Sequence, residues 1–289
     1  MSLSRRRFLK ITAAAALASP ATAGEGPAVW HGRALGADVQ LRVTGLSPER
    51  AALLWPRVAR LLERIEASVS LFRPSELTRL NETGLLAHPG EDMRALCDLS
   101  ARLHAATGGA FDPSVQPLWR ALAQGSDIAA ARARIGWQRV EIGTAAIRLE
   151  PGAALTFNGV AQGYAADRVA ALLRAQGLRE VLVDTGEIVA TGRRWPVTIA
   201  APDGTPLAQR DLRNRALATS SPAATRVGPT HAAHILHPGG QAPLWQTVSV
   251  SAPSAALADG LSTAFCLMPR EGIDAALARF AQARLEYLV

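Results

Sequence analysis

Lysine is almost missing from this sequence. Lys10 is the only one, and it falls within the first 23 residues, so the remainder has none. That remainder therefore contains neither a Schiff-base lysine nor the lysine of a phosphate-binding P-loop. Cysteine is nearly as scarce: Cys97 and Cys266 stand far apart, and no Cys-x-x-Cys occurs. The usual spacings of zinc, iron–sulfur and haem-attachment sites are thus absent. Cys97 sits among Leu96, Leu99 and Leu103, and Cys266 follows Ala264 and Phe265, so both read as buried free thiols. No long Lys/Arg run remains beyond the N-terminus, which leaves no electrostatic footprint for nucleic acid. No apolar run approaches the ~20 residues that span a bilayer. Internal repeats and low-complexity linkers are lacking as well.

What is present begins at the N-terminus. Ser4-Arg5-Arg6-Arg7-Phe8-Leu9-Lys10 has the form of a twin-arginine export signal. A short apolar run from Ile11 to Leu17 follows, then Ala21-Thr22-Ala23, a small-residue cleavage site. The expectation is a signal peptide over 1–23, a mature protein over 24–289, and a periplasmic location without a stable membrane span. The twin-arginine route carries folded proteins, often around a cofactor. Arg5, Arg6, Arg7 and Lys10 supply four of the seven formal positive charges, leaving +3 on the mature part. Its 266 residues suffice for one large core or two smaller ones.

Residues 28–45 alternate around Val39, Leu41 and Val43, as strands do. The spacing of Leu53, Leu54, Val58, Leu61, Leu62 and Ile65 after Ser47-Pro48-Glu49 predicts a helix over 48–67. Further helices are expected over about 93–107, 164–176, 256–266 and 271–281. Strands are expected over 139–142, 146–149, 154–157, 180–184, 195–201, 246–251 and 285–289. Helices and strands intermix without a regular βαβ repeat, which favours α+β. Residues 202–206 and 237–243, rich in proline and glycine, read as surface loops.

Four polar segments carry glycine and suit ligand contact. They are Ser70-Leu71-Phe72-Arg73-Pro74-Ser75-Glu76-Leu77-Thr78-Arg79-Leu80-Asn81, Thr107-Gly108-Gly109-Ala110-Phe111-Asp112-Pro113-Ser114-Val115-Gln116-Pro117-Leu118, Thr156-Phe157-Asn158-Gly159-Val160-Ala161-Gln162-Gly163-Tyr164-Ala165-Ala166-Asp167 and Ala258-Asp259-Gly260-Leu261-Ser262-Thr263. In the third, an extended stretch turns through glycines into a helix N-terminus, which offers amides and a positive dipole end to an anion such as pyrophosphate. In the fourth, Asp259 and Thr263 are four apart and share a helix face. A carboxylate with a hydroxyl is a donor set that Mg²⁺ accepts; a helix N-cap with a hydrophilic first turn has the same composition.

These segments, with Ala218-Thr219-Ser220 and His234-Ile235-Leu236, are collinear over almost the whole chain from about Gly36. Together they resemble the ApbE family of FAD:protein FMN transferases. The resemblance implies a single α+β domain of two intimately packed halves with the flavin between them. It implies FAD contacts at Leu35, Phe72, Ala110, Phe111, Asp112, Thr156, Gln162 and Ser262. It assigns Mg²⁺ to Asp259, Thr263 and the Gly159 carbonyl, and proton transfer near the diphosphate to His234. The remaining histidines, His31, His88, His104 and His231, read as surface or structural, with His237 ambiguous. The implied reaction moves FMN from FAD to a Thr or Ser hydroxyl of an acceptor protein and releases AMP. An FAD-binding carrier without transfer activity, or an FAD pyrophosphatase, are the alternatives. The chain departs from the family pattern in five places, one of them an Arg-Thr-Gly after His237 that is reduced to Gly239-Gly240. Thr156 replaces an Asp, Gln162 a Lys and His237 an Asp, and the Asp-x-Gly-Gly turn is shortened to Asp184-Thr185-Gly186-Glu187.

Overall fold

The computed structural model describes residues 27–289; the expected leader over 1–23 lies outside the described residues. The alternating N-terminal stretch forms a hairpin, β1 (Ala28–Ala34) and β2 (Ala37–Val43), joined by Leu35 and Gly36, both at positive φ. Then comes α1 (Pro48–Val69), which starts where the Ser47 hydroxyl accepts from the Arg50 amide and Pro48 occupies the first turn. Leu54, Val58, Leu62, Ile65 and Val69 form its buried stripe. A more helical region follows: α2 (Glu76–Thr83), β3 (Leu85–Ala87), α3 (Glu91–Ala106), α4 (Gln116–Gln124), α5 (Ile128–Arg132), β4 (Glu141–Ile142) and β5 (Ala146–Arg148). Its three strands form a small sheet in the order β3-β5-β4.

The chain then enters α6 (Ala161–Ala175), β6 (Val181–Asp184), β7 (Ile188–Thr191), β8 (Trp195–Ala200), β9 (Pro206–Leu212), β10 (Arg215–Ser220), β11 (Arg226–Val227) and β12 (Ala232–Ala233). It closes with β13 (Val248–Ala252), α7 (Ala255–Phe265), α8 (Arg270–Ala278) and β14 (Arg284–Leu288). Seven strands build the main sheet in the order β1-β2-β6-β7-β10-β13-β14, every neighbouring pair antiparallel. The architecture is α+β, as expected.

Strand periodicity explains the layering. In β6 and β10, Val181, Val183, Ala216 and Ala218 join the large core against α1, α6 and α7. The intervening Leu182 and Leu217 face the other way, into a smaller core with Trp195, Val197, Ile199 and Leu212 of the β8–β9 hairpin. The sheet is therefore covered on both faces, and its central strands read as continuous apolar runs. Each large aliphatic side chain fully buried here stabilises the fold by about 1.5–3 kcal/mol before entropy is counted.

Helices α6 and α7 meet at their N-terminal ends, and this contact positions the candidate site. The Asp167 carboxylate of α6 accepts from the Ala255 and Ala256 amides (2.8 and 2.9 Å) and the Ser254 hydroxyl (2.8 Å), which caps α7 from outside. Burial raises the pKa of Asp167. Gly163 permits the approach: a methyl group there would stand 2.4 Å from the Ala255 carbonyl oxygen.

Two expectations need correction, and one alternative reading falls away. Residues 154–157 are buried and extended but join no sheet. Their backbone is satisfied elsewhere: Asn81 both donates to the Leu155 carbonyl (2.9 Å) and accepts from its amide (2.7 Å), and Thr156 N donates to the Pro113 carbonyl (2.8 Å). Helix α6 begins at Ala161 rather than near Tyr164, so Gln162 and Gly163 lie inside its first turn. Asp259 is not an N-cap residue; Ser254 caps α7, and Asp259 sits five residues further in. Cys97 and Cys266 are free and buried, as read from their neighbours.

Candidate active site

Three of the four polar segments converge. The backbone bond from Thr156 to Pro113 fastens the 153–160 turn to the loop after α3. At the tip of that turn, a methyl group on Gly159 would stand 3.2 Å from Thr263 Oγ1 and 3.3 Å from Phe111 Cε2. Gly159, Thr263 and Phe111, each from a different segment, are thus in one place. The first segment is tied in through Asn81 and Leu155.

Asp259 lies one helical turn from Thr263 and is only 4% exposed. Its Oδ2 accepts from the Gly163 amide at 3.1 Å, and Oδ1 accepts no hydrogen bond from any described residue. Part of the positive end of α6 is therefore turned on this carboxylate. Burial still dominates and pushes the Asp259 carboxyl up to about 7, the Gly163 amide working against it and the nearby Asp167 with it. Asp259 and Thr263 are joined by two hydroxyls. Ser220 Oγ lies 2.8 Å from Ser262 Oγ and 3.4 Å from Thr263 Oγ1, and the Ser262 hydroxyl donates to the Asp259 carbonyl at 3.0 Å. Ser262 is itself completely buried.

No motif in the local sequence marks Glu187 as a site residue, but the structure places it beside Asp259. It is 4% exposed, and its Oε2 accepts from the Thr219 amide at 3.3 Å, where the β7–β10 ladder ends. Burial, then the charge of Asp259, then that of Asp184 drive its carboxyl well above the usual range, against the pull of the Thr219 amide. Asp184 is itself pushed up to about 6 by burial, partly offset by the Gly186 amide and Arg42. No arginine or histidine pairs with Asp259 or Glu187 among the described residues. Two neighbouring buried carboxyls without a protein cation either keep a proton or hold a metal ion.

The other expected residues have varied surroundings, and hydrogen bonds and packing bring Ala110, Phe111, Asp112, Thr156 and Gln162 onto or beside the converging segments. Ala110 and Phe111 are buried, and the Phe111 amide donates to Thr107 Oγ1 at 3.1 Å. Asp112 turns Oδ1 onto its own loop, accepting from the Ser114 amide (2.7 Å) and hydroxyl (2.6 Å). Thr156 Oγ1 accepts from the Asn158 amide, and the Gln162 side chain packs on the Gly186 turn. Leu35 and the Phe72 loop meet through Glu66, which accepts from the Leu35 amide (2.6 Å) and pairs with Arg73. Phe72 is 71% exposed. His234 Nδ1 faces the Pro222 carbonyl at 2.9 Å. If that nitrogen carries the proton, Nε2 is left as an acceptor. Burial lowers the His234 pKa, against the pull of the Pro222 and Thr225 carbonyls, which favours the neutral ring. Pro222 is two residues beyond Ser220, so one short turn links His234 to the hydroxyl beside Thr263.

Comparison with known proteins gives the family. Residues 35–289 match the ApbE family. The chain belongs to that family. Among curated ApbE relatives, the FAD:protein FMN transferase of Salmonella typhimurium is 27% identical, over 86% of this chain and 81% of that protein. The FAD:protein FMN transferase of Klebsiella pneumoniae is 26% identical, over 88% and 82%. The solved flavinyl transferase ApbE of Pseudomonas stutzeri, an apo form, superposes with a TM-score of 0.76 at 27% identity, over 88% of this chain and 89% of that one. The flavin transferase ApbE of Vibrio cholerae superposes with a TM-score of 0.78 at 24% identity, over 91% and 93%, and speaks for the shared fold.

Proposed function

We propose that this ApbE-family chain is an Mg²⁺-dependent FAD:protein FMN transferase that modifies a Thr or Ser hydroxyl of an exported acceptor protein. The observation that carries the reading is the approach of Gly159 to Thr263, one helical turn from the buried Asp259 and its neighbouring carboxyl Glu187, in a chain whose curated relatives are named for that activity. The donor set fits a divalent cation. Among the described residues Asp259 Oδ1 accepts no hydrogen bond, Thr263 follows it by one helical turn, and neither buried carboxyl has a counter-charge. Asp259, Thr263 and the Gly159 carbonyl would hold the ion. A bound Mg²⁺ supplies charge neutralisation at the diphosphate.

The chain's own groups account for the rest. Ala110, Phe111 and the 156–162 turn form a small, largely apolar wall suited to a flat ring system. Neutral His234 takes the proton of the acceptor hydroxyl at Nε2, held in that tautomer by the Pro222 carbonyl. The hydroxyl oxygen forms a bond to the FMN-side phosphorus of FAD, the P–O–P link breaks, and AMP leaves with the electron pair. Export by the twin-arginine route belongs to the same reading. With Arg5 and Arg6 both changed to Lys, uncleaved precursor should collect in the cytoplasm, and normal periplasmic yield would refute it.

Incubation with FAD, Mg²⁺ and a Thr- or Ser-containing acceptor peptide tests the transfer. Covalent FMN on the peptide supports it. Free FMN and AMP mean an FAD pyrophosphatase, and unchanged bound FAD means a carrier.

A further inference from the structure

Helices α1 and α6 leave an open groove of about 540 Å³ on the surface. Arg57, Arg60, Arg64 and Arg168 line it over an apolar floor that includes Leu61 and Leu172, and no acidic residue lines it. Two of the guanidinium groups have carboxylate partners at the end of the groove nearest α3: Arg64 with Asp92 (3.1 Å) and Arg168 with Glu91 (2.8 Å). Arg57 donates only to the neutral Gln176 side chain at 2.9 Å, and Arg60 has no partner among the described residues. The groove therefore carries an excess of positive charge, all of it as planar forks that suit carboxylates.

Its direction matters. Arg50 and Arg57 reach Gln176 at the end of α6, while Arg64 shares the other end with Arg168, so the two helices run antiparallel. Both lead toward the candidate active site. Arg64 is six residues before Ser70, which opens the Phe72 loop, and Arg168 is seven after Ala161, which closes the Gly159 turn. These separations are about 9 and 10 Å of helix rise.

We infer that this groove receives an acidic segment of the acceptor polypeptide, next to the hydroxyl that is modified. The apolar floor and open shape favour an extended peptide with carboxylate side chains over a compact anion, for which the groove has no buried donor. The inference rests on the transferase reading for the partner's identity, but its binding test does not.

The probe is a fluorescein-labelled octaglutamate peptide, followed by fluorescence anisotropy without FAD. Wild-type protein should bind it, with affinity falling as salt rises from about 0.05 to 0.5 M. Arg57→Glu/Arg60→Glu should weaken binding by about tenfold or more. Arg60→Glu alone serves if the double variant fails to quench FAD fluorescence as wild type does. Absence of binding at low salt, or unchanged affinity in the variant, overturns the inference. So does equal competition by inorganic tripolyphosphate, or binding to phosphatidylglycerol vesicles without binding to the peptide. A second measurement ties the groove to transfer: an acceptor peptide with a glutamate tail should show a lower KM than one with a serine tail, in wild type but not in the variant. Peptide binding without transfer would refute the transferase reading alone, and transfer without any tail effect would refute the groove alone.

Discussion

Replacing Asp259 by Asn should produce a protein that is more stable than wild type without metal, and inactive with it. The substitution keeps the size of the side chain and an oxygen that can accept from the Gly163 amide. It removes a charge that the fold disfavours. Burial raises the Asp259 carboxyl from an ordinary 3.8 to about 7. A folded pKa above the unfolded one means that the folded state binds the proton more tightly. The metal-free protein therefore loses stability as pH rises from about 4 through about 7. At about 1.4 kcal/mol per unit, the penalty on the ionised form approaches roughly 4 kcal/mol at high pH, with relaxation around the charge reducing it. Glu187 adds to the gain, because the Asp259 charge is one of the causes that raise its carboxyl.

The assay is thermal unfolding in excess chelator at pH 5.5 and pH 8, with and without Mg²⁺. Wild type should melt lower at pH 8 than at pH 5.5, and Mg²⁺ should recover more of the difference at pH 8. Asp259→Asn should melt higher than wild type at pH 8 in chelator, by about 2–4 °C for each kcal/mol gained. It should not respond to Mg²⁺, and FMN transfer should fall by orders of magnitude as charge stabilisation at the diphosphate is lost. If the variant is less stable than wild type at pH 8 in chelator, Asp259 is not an uncompensated buried charge. If it keeps near wild-type transfer, the metal site is misplaced.

Thr263→Val should cost transfer on the order of tenfold, less than Asp259→Asn, because water can replace one neutral ligand; titrating Mg²⁺ should show a half-maximal rate at higher Mg²⁺ than in wild type. Gly163→Ala places a methyl group 2.4 Å from the Ala255 carbonyl oxygen and should destabilise by about 1–3 kcal/mol or more, read as a lowered denaturant midpoint. His234 has its pKa lowered by burial, so the pH–rate profile should rise to a plateau through an acidic limb below about 6.5. His234→Gln should lower the plateau and abolish that limb; a limb that survives unchanged belongs to another group.

The long helices were legible because their signals are local. Ser47-Pro48 at one end and the 54-58-62-65 stripe fix α1 without reference to the rest of the chain. The hairpin of β1 and β2 follows from alternation in the same way, and the four polar segments stood out by composition. Residues 154–157 read as a strand, and the structure differs for a physical reason. The pattern is apolar and extended, but the backbone partners are the Asn81 amide group and a single carbonyl at Pro113. Nothing within the segment distinguishes those partners from a neighbouring strand. The early start of α6 was hidden by Gly163, which reads as a turn residue and serves a close helix–helix approach.

Glu187 shows where composition stops and burial begins. In sequence it belongs to Asp184-Thr185-Gly186-Glu187, a polar turn between Val181-Leu182-Val183 and Ile188-Val189-Ala190. A solvated turn would put its carboxylate in water, yet this one is 4% exposed. The available signal was its place directly before Ile188, in a stretch buried on both faces. A charged residue at such a place has to meet a partner inside the protein. Its protein partner is the Thr219 amide, one residue before Ser220, whose hydroxyl touches Ser262 and Thr263. Through that one residue of backbone, the carboxyl that sequence reading passed over helps to hold the β10 end against which the expected metal ligands of α7 are set. The proposed ligand residues are therefore readable from a local motif, whereas the groups set beside them come from β7 and β10 and become visible only once the sheet is assembled.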